Sequence, residues 1–336
     1  MKFFSFYLSL ICLFFFSCQS KTEDVKREKV TSQTITDSIF TRMPGRLIKV
    51  DNYLVWKDPF AADKFIHVID IHQNKEIGTM GKIGQGPEEF NTPSISSSFI
   101  KNNVFVFDLN SPHQAYFSID SLKENKNPYR KYENNELNKI MDIINFSENG
   151  FIISQPSEEK RFKLISNDKS IEFGDPFIGN KIDNSYDIYQ GAMGINEKKH
   201  KFVFASLRLP YLEIYDIKDH EPSLVYTSEL PKNTYNIEGT TLKPNTQKKG
   251  ARDLTLLKDY IAIIQRDYEI DKTDESTVGM NFDKLPKTVF LYDYEGKLER
   301  IVDLGIPLIR IAGDTESNTL YAIGVDPEFV LIKSEL

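Results

Sequence analysis

Three arginines are the side chains whose type and spacing are best suited to binding an anionic ligand. Arg252 and Arg310 stand near the starts of two predicted strands, and Arg208 stands just past the end of a third. A guanidinium group is permanently charged and carries a fork of donors that suits carboxylates and other anions. The alternative is that each arginine pairs with an acidic neighbour at a strand end, because acidic residues are plentiful. The sequence leaves both interpretations open.

Aromatic side chains in two long predicted loops form a second candidate binding set. Tyr235 lies in the loop at 229–249, and Tyr268 and Phe282 lie in the loop at 266–287. Polar loops with interspersed aromatic rings can recognise sugars or peptides by stacking and hydrogen bonding. The alternative is that these two loops are neutral insertions without a ligand, because surface loops tolerate insertions at low entropic cost.

Other residue types with chemical potential do not form a recognisable catalytic or metal site. His67 and His72 are five positions apart on a predicted strand, so their side chains point to opposite faces. Asp267, Asp271 and Asp274 lack the spacing of a calcium loop and favour a solvated acidic loop. No nucleophile elbow is present. The sequence therefore predicts no catalytic residue, no metal and no cofactor.

A glycine-rich segment, GKIGQGPEEF at 81–90, invites comparison with a phosphate-binding loop. Such a loop needs a helix that opens directly after the glycines, because the helix N-terminus holds the phosphate. A proline and two glutamates follow here instead, and then a strand. The segment is therefore predicted to be a tight structural turn, with glycines where positive φ angles are required. The turn residues are Gly81, Gly84, Gly86, Pro87, Glu89 and Phe90.

The N-terminus has the pattern of an exported lipoprotein. Lys2 precedes an apolar run over 3–16, and Ser17 stands directly before Cys18. The run is too short for a membrane-spanning helix, which needs about 20 residues, and it is typical of a signal peptide. We therefore predict a signal peptide at 1–17 and lipid attachment at Cys18, with the protein tethered to the outer membrane.

Composition restricts the function of the remaining chain. Cys18 is the single cysteine after the predicted cleavage site, which excludes a disulfide framework and a cysteine-ligated zinc site within one chain. The net charge of −7, with no basic cluster, argues against nucleic acid as a partner. Residues 18–33 are polar and charged and are predicted to be a flexible tether.

A repeat dominates the rest of the sequence. Strand–turn–strand segments with alternating apolar residues recur at intervals of 40 to 50 residues, apart from one longer interval that holds the insertion at 266–287. Further apolar strands precede each pair, and a proline follows in the connecting loop. This pattern predicts an all-β protein, a six-bladed β-propeller of four-stranded antiparallel blades over 34–336. The equivalent turn positions are Asp70, Asp120, Ser166, Asp216, Asp293 and Lys333.

The last copy of the repeat is one strand short, because the sequence ends at Leu336. Residues 34–42 alternate in polarity and belong to no other copy. We predict that they supply the missing outer strand, since this closes the ring and removes exposed sheet edges.

The segment 80–90 also carries a family resemblance. It resembles the G-x-x-G-x-G-P-x-E-F segment between the first two blades of TolB-like and NHL-like six-bladed propellers. Together with the lipoprotein signal, the chain is similar to TolB-like propeller lipoproteins of Gram-negative envelopes. The resemblance implies a fold and a location more than an activity.

Function is predicted at the level of class. The leading hypothesis is a membrane-anchored binding module that recognises a protein, peptide or glycan through its long loops. The second is a hydrolase or lyase acting on envelope polysaccharide, which would require catalytic side chains converging at the central mouth. The third is a subunit of an envelope assembly, which would expose an apolar patch on the blade edges.

Overall fold

A computed structural model describes residues 25–137, 140–167, 169–245, 249–272 and 281–336. The predicted signal peptide and Cys18 lie outside these residues. The described chain forms six sheets built on four antiparallel strands each and arranged as the blades of a ring, so the six-bladed propeller predicted from the sequence is confirmed. Within the described residues, no helix has the length and apolar character needed to cross a bilayer.

Two N-terminal strands precede the first blade, and each blade then follows in chain order. The N-terminal strands are β1 (Lys26–Lys29) and β2 (Ser32–Thr36). Blade 1 contains β3 (Leu47–Val50), β4 (Tyr53–Lys57), β5 (Lys64–Asp70) and β6 (Lys75–Ile83), with the short β7 (Glu89–Phe90) beside β6. Blade 2 contains β8 (Pro93–Ile100), β9 (Asn103–Asp108), β10 (Gln114–Ser118) and β11 (Tyr129–Tyr132). Blade 3 contains β12 (Ile143–Ser147), β13 (Gly150–Ser154), β14 (Phe162–Ser166) and β15 (Lys169–Phe173).

The second half of the ring repeats this plan with insertions. Blade 4 contains β16 (Gly191–Asn196), β17 (Lys201–Ser206), β18 (Leu212–Lys218) and β19 (Glu221–Thr227). A hairpin, β20 (Tyr235–Glu238) and β21 (Thr241–Pro244), follows it. Blade 5 contains β22 (Asp253–Leu256), β23 (Ile261–Ile264), β24 (Thr288–Tyr292) and β25 (Leu298–Asp303). Blade 6 contains β26 (Leu308–Ala312), β27 (Thr319–Val325) and β28 (Phe329–Glu335). Two short α-helices, α1 (Ile119–Lys123) and α2 (Ser185–Ile188), and 3-10 turns at Asn135–Leu137 and Phe282–Lys284 lie in connections.

Six apolar clusters of the described core are each shared by two neighbouring blades, and a seventh lies beneath the hairpin of β20 and β21. In β4, Val55 packs between blades 1 and 2, whereas the adjacent Leu54 and Trp56 pack between blades 6 and 1. Alternate side chains of one strand therefore face two different neighbours. The inner strands are buried on both faces, which differs from the half-buried sheets that the alternation suggested. Each blade packs against both of its neighbours. The cluster between the last blade and the first therefore forms only when the ring is closed.

The ring is closed by β2, which pairs antiparallel with β28 as the fourth strand of blade 6. Ser32 Oγ lies 2.8 Å from Ser334 Oγ across this pair. The strand begins two residues earlier than the predicted segment 34–42 and ends at Thr36. After it, Ile39 is buried while Phe40 is exposed, so the rest of the predicted strand is a connection to blade 1.

Part of the segment predicted to be a tether is also a strand. β1 runs parallel to β25 on the outer edge of blade 5, from the Lys26–Arg300 pair to the Lys29–Asp303 pair. Arg300 forms an ion pair with Glu28 at 2.6 Å. The prediction of a flexible tether over 18–33 thus fails for 26–29 and 32–33. An edge strand that is held by backbone hydrogen bonds and ion pairs needs few apolar residues. The polar composition of this segment therefore did not predict a strand.

Candidate functional site

We define the upper face as the one that carries the loops between successive blades and the loops between the second and third strand of a blade. Its centre, the upper mouth, is where the innermost strands β3, β8, β12, β16, β22 and β26 begin. Arg46 and Arg252 each stand directly before an innermost strand, and Arg310 is the third residue of β26. Lys57 ends β4 and reaches the same mouth from the second strand of blade 1. Four cations therefore gather at the mouth, where the sequence analysis predicted three arginines, of which only Arg252 and Arg310 lie there.

Arg46 ties three blades together across the mouth. One terminal nitrogen donates to the carbonyl oxygen of Ile95 at 2.7 Å, and the two terminal nitrogens together bind both carboxylate oxygens of Asp142 at 2.7 and 2.6 Å. Burial opposes the charge on this guanidinium, but the negative charge of Asp142 outweighs it and raises the pKa of Arg46. Arg46 is therefore a cation already held by the protein.

Arg310 is also partly satisfied by the protein. Its Nε donates to the carbonyl oxygen of Gly45 at 3.1 Å, which links blade 6 to the start of blade 1. The amide of Gly45 donates in turn to the carbonyl oxygen of Lys57 at 2.9 Å. A Cβ at Gly45 would lie 2.8 Å from that oxygen, so this close approach requires glycine.

Arg252 and Lys57 have no such acceptors. Among the described residues, neither side chain donates a hydrogen bond or forms an ion pair, and Arg252 Nε is fully buried. Burial, followed by the positive charge of Arg310, lowers the pKa of Arg252 to about 10. Burial, followed by the charges of Arg46 and Arg310, lowers the pKa of Lys57 to about 8. The charges of Asp253 and Asp108 offset these effects only in part, so the upper mouth contains two cations that have no hydrogen-bonded acceptor among the described residues.

The carboxylates near these cations have other partners. Asp253 accepts backbone hydrogen bonds from Ile311 at 3.0 Å and from Leu254 at 3.1 Å, and burial raises its pKa. Asp108 accepts from the backbone amides of Asn91 and Thr92 at 2.7 and 2.9 Å. Both acids therefore hold inter-blade connections in place.

A cavity of about 830 Å³ extends along the central channel from Arg46 and Asp253 toward the lower face. At its lower end, Lys198 pairs with Glu316 at 2.6 Å, and Lys49 pairs with Asp314. Two pairs of charges at the lower mouth are therefore mutually balanced, while Glu197, which also lines it, has a pKa raised by burial. Apolar side chains line the wall between them: Phe99, Phe146, Met193, Leu254 and Leu256.

The other predicted binding residues lie elsewhere. Arg208 is exposed and forms an ion pair with Asp187, with its Nε donating to that carboxylate at 2.9 Å. Tyr235 packs in β20 against the cluster beneath the hairpin. The ring of Phe282 packs edge-on against Phe329, with 5.2 Å between centroids, while Tyr268 is exposed. The structure brings Arg252 and Arg310 together and places these four residues apart from them.

The glycine-rich segment forms a turn between blades 1 and 2. Glu89 folds back so that its Oε2 accepts from the amide of Gly86 at 2.9 Å. Gly81 has a φ of 72°, and a Cβ there would lie 2.7 Å from the ring of Phe65. A Cβ at Gly84 would overlap the Glu89 carboxylate. Phe90 is buried, and Pro87 accepts from the hydroxyl of Tyr129 through its carbonyl oxygen at 3.3 Å.

The acidic loop of blade 5 forms ion pairs in the part that is described. Asp267 pairs with Arg27 at 2.6 Å, and Asp271 pairs with Arg266 at 2.8 Å. Asp274 lies outside the described residues. In the ranges that the structure describes, no group of three acidic, histidine or cysteine side chains is arranged to hold a metal ion.

Two features of the upper face were missed by sequence reasoning. Arg46 and Lys57 were not predicted, although Arg46 holds the same position before its strand as Arg252 does, so aligning the residues that precede each innermost strand could have found it. The second feature is a set of exposed apolar side chains. Six of the eight large apolar side chains exposed in the described chain lie in upper-face connections: Phe40, Phe60, Tyr186, Leu207, Tyr268 and Ile270.

Comparisons with known proteins agree with this architecture. A member of the DUF4221 family from Bacteroides vulgatus is similar to this chain with a TM-score of 0.55 and 10% identity, over 93% of this chain and 97% of that one. The structure titled U3-55K gives a TM-score of 0.50 and 9% identity, over 91% and 98% of the two chains. At such low identity these likenesses show the fold alone. No curated protein matches the chain. Residues 23–309 match the family described as TolB-like 6-blade propeller-like, and the chain therefore belongs to this family of six-bladed propellers.

Proposed function

We propose that this propeller is a binding module of the bacterial cell envelope that holds a protein partner on its upper face. The observation that carries the proposal is the concentration of exposed apolar side chains there. Phe40 is 85% exposed and Phe60 is 53% exposed, and the guanidinium of Arg42 lies 5.9 Å from the centroid of the Phe60 ring. Aromatic side chains and arginine are the residues that most often dominate protein–protein binding energy.

A protein or peptide is favoured over a glycan because the exposed set includes aliphatic side chains. Leu207 and Ile270 would gain from burial against another apolar surface, whereas sugar recognition relies on flat aromatic rings. The anchoring part of the proposal rests on the N-terminal sequence, in which Cys18 follows an apolar signal.

The test is in-cell cross-linking of variants that keep the fold. Replacing Phe40 and Phe60 by serine should abolish cross-linked partners, because these exposed rings contribute to no core cluster. The matched control replaces Leu224 and Val225, exposed apolar residues on the outer strand of blade 4, by serine. A partner lost from the control and retained by the Phe40 and Phe60 variant would refute binding on the upper face.

A polysaccharide lyase is the second candidate, and one observation favours it. Lys57, with its pKa lowered to about 8, lies among arginines and could remove a proton beside a carboxylate that the arginines neutralise. Incubation with polyuronates tests this, because elimination creates an unsaturated product that absorbs ultraviolet light. Product formed by the wild type and absent from Lys57→Gln would favour the lyase over the binding module.

A further inference from the structure

The central cavity has an apolar middle section between two polar ends. The side chains that line this section come from blades 2, 3, 4 and 5, and they are Phe99, Phe146, Met193, Leu254 and Leu256. Phe99 and Phe146 are only partly buried, so part of each ring remains exposed where it lines the channel. Apolar surface that stays in contact with water costs free energy, which a ligand of matching character recovers when it binds.

The two phenylalanine residues belong to a wall that is fixed by hydrogen bonds. The Ser98 hydroxyl donates to the carbonyl oxygen of Asn145 at 2.6 Å, which joins β8 to β12 directly before Phe99 and Phe146. Asn145 is fully buried, and its side-chain nitrogen donates to the hydroxyl of Tyr116 at 3.4 Å. Phe99 and Phe146 therefore leave the backbone at the same level of the channel. Sites for small molecules are usually preformed in this way.

The charges that line the cavity are nearly balanced. Four basic and five acidic side chains lie toward its two ends, so neither sign is in clear excess. Arg46 binds Asp142 at the upper end, and Lys198 pairs with Glu316 at the lower end. Burial raises the pKa of Glu197, which favours the neutral form of this acid. A neutral ligand therefore suits the middle section better than an ion, because an ion would lose its hydration without gaining a counter-charge.

We propose that the central cavity is a second binding site, which holds a small neutral molecule with an aromatic body. Blade 2 lies opposite blade 5 in the ring, so Phe99 on one wall and Leu254 and Leu256 on the other would contact opposite sides of this molecule. The exposed parts of Phe99 and Phe146 favour an aromatic body, because aromatic rings gain from stacking beyond the burial of their area. The cavity of about 830 Å³ lies within the range of about 300–1,000 Å³ that is typical of small-molecule sites.

The neutral probe 1-anilinonaphthalene, whose fluorescence increases in apolar surroundings, tests the site directly. The wild-type protein should bind one molecule of this probe. The 8-sulfonate of the same compound should bind about tenfold more weakly or less, because its charge would have to leave water for an apolar section. Thr255→Trp should abolish binding, since Thr255 lines the cavity between Leu254 and Leu256 and an indole there would fill the channel. Phe146→Ala should weaken binding by about threefold to tenfold, as expected for loss of one aromatic contact, and it keeps the test decisive if the larger variant does not fold.

Two control variants separate this cavity from the other surfaces of the propeller. Thr241→Trp places the same side chain on the hairpin after blade 4, where Thr241 is exposed, and it should bind the probe like the wild type. The variant with serine at Phe40 and Phe60 should also bind like the wild type, because the described residues that line the cavity include neither of them.

Four outcomes would overturn the proposal. The first two are a wild-type protein that does not bind the probe and equal binding of the 8-sulfonate. The third is a folded Thr255→Trp variant that binds like the wild type. The fourth is loss of the probe from the variant with serine at Phe40 and Phe60, which would assign the probe to the upper face. Each of these results leaves the cross-linking test of the upper face unchanged, so the two proposals fail independently.

Discussion

Replacing Lys57 by methionine should make the folded protein more stable at neutral pH. The folded state holds this lysine at a pKa of about 8, against 10.5 for a free side chain, because burial and the charges of Arg46 and Arg310 disfavour its ammonium form. A difference of about 2.5 in pKa corresponds to at most about 3.4 kcal/mol of differential free energy. Partial exposure to solvent reduces this, so we expect a gain of about 1–3 kcal/mol in the free energy of unfolding.

The sign of the pH dependence provides the sharper test. Between about pH 8 and pH 10.5, the unfolded chain binds a proton at this lysine that the folded chain has released. The contribution of Lys57 to stability therefore rises with pH across this window, and below it the cost of the buried charge is felt in full. Lys57→Met should be more stable than the wild type at pH 7, and the difference should shrink as the pH approaches 10.5.

Urea unfolding at several pH values between 7 and 10.5 measures this difference directly. Lys181→Met is the control, because Lys181 is exposed, and it should leave the pH profile parallel to that of the wild type. Parallel profiles for Lys57→Met and the wild type would refute the buried-charge explanation.

The remaining predictions concern the anchor, the ring closure and a buried ion pair. Cys18→Ala should move the protein from the membrane fraction to the soluble fraction; a processed variant that stays on the membrane contradicts lipid attachment. Deleting residues 25–30 removes β1 and should lower the melting temperature moderately. Deleting residues 25–36 also removes β2, which opens blade 6, and should lower the melting temperature further. Identical melting temperatures for the two deletions would contradict closure by β2. Glu213→Gln should cost about 3–5 kcal/mol of stability, because it leaves the fully buried Arg161 without its carboxylate partner; chemical unfolding that shows a loss below about 1 kcal/mol would contradict this.

The repeat could be recognised in the sequence because each blade of a propeller buries equivalent strand positions. Val55 and Trp56 must both be buried, since one face of the strand meets blade 2 and the other meets blade 6. Each blade therefore carries the same run of apolar residues, and equivalent positions such as Asp216 and Asp293 recur near the turns before the outer strands. Blade number and strand order followed from that regularity.

The parts that the sequence did not reveal depend on non-repeating contacts. β1 and β2 have few apolar residues, because their partners are backbone groups and side chains some 300 positions away, such as Ser334 for Ser32. The buried position of Lys57 was not predicted from the sequence, because the neighbouring arginines come from blades 1 and 6 and meet only in the closed ring. Arg252 and Arg310 were found because their positions follow from the repeat itself.

If Cys18 carries a lipid as proposed, strand β1 also limits the distance between the propeller and the membrane. Arg27 fastens this strand to the loop of blade 5 through Asp267 and Glu269, at 2.6 and 3.1 Å. The first described residue, Val25, is seven positions beyond Cys18, which is a span of at most about 25 Å for a fully extended chain. With a lipid on Cys18, blade 5 would be confined to a thin layer above the bilayer, while blade 2, on the opposite side of the ring, could swing outward. The largest distance between the membrane and the far blade would then be set by the diameter of the ring and not by the length of the segment after Cys18.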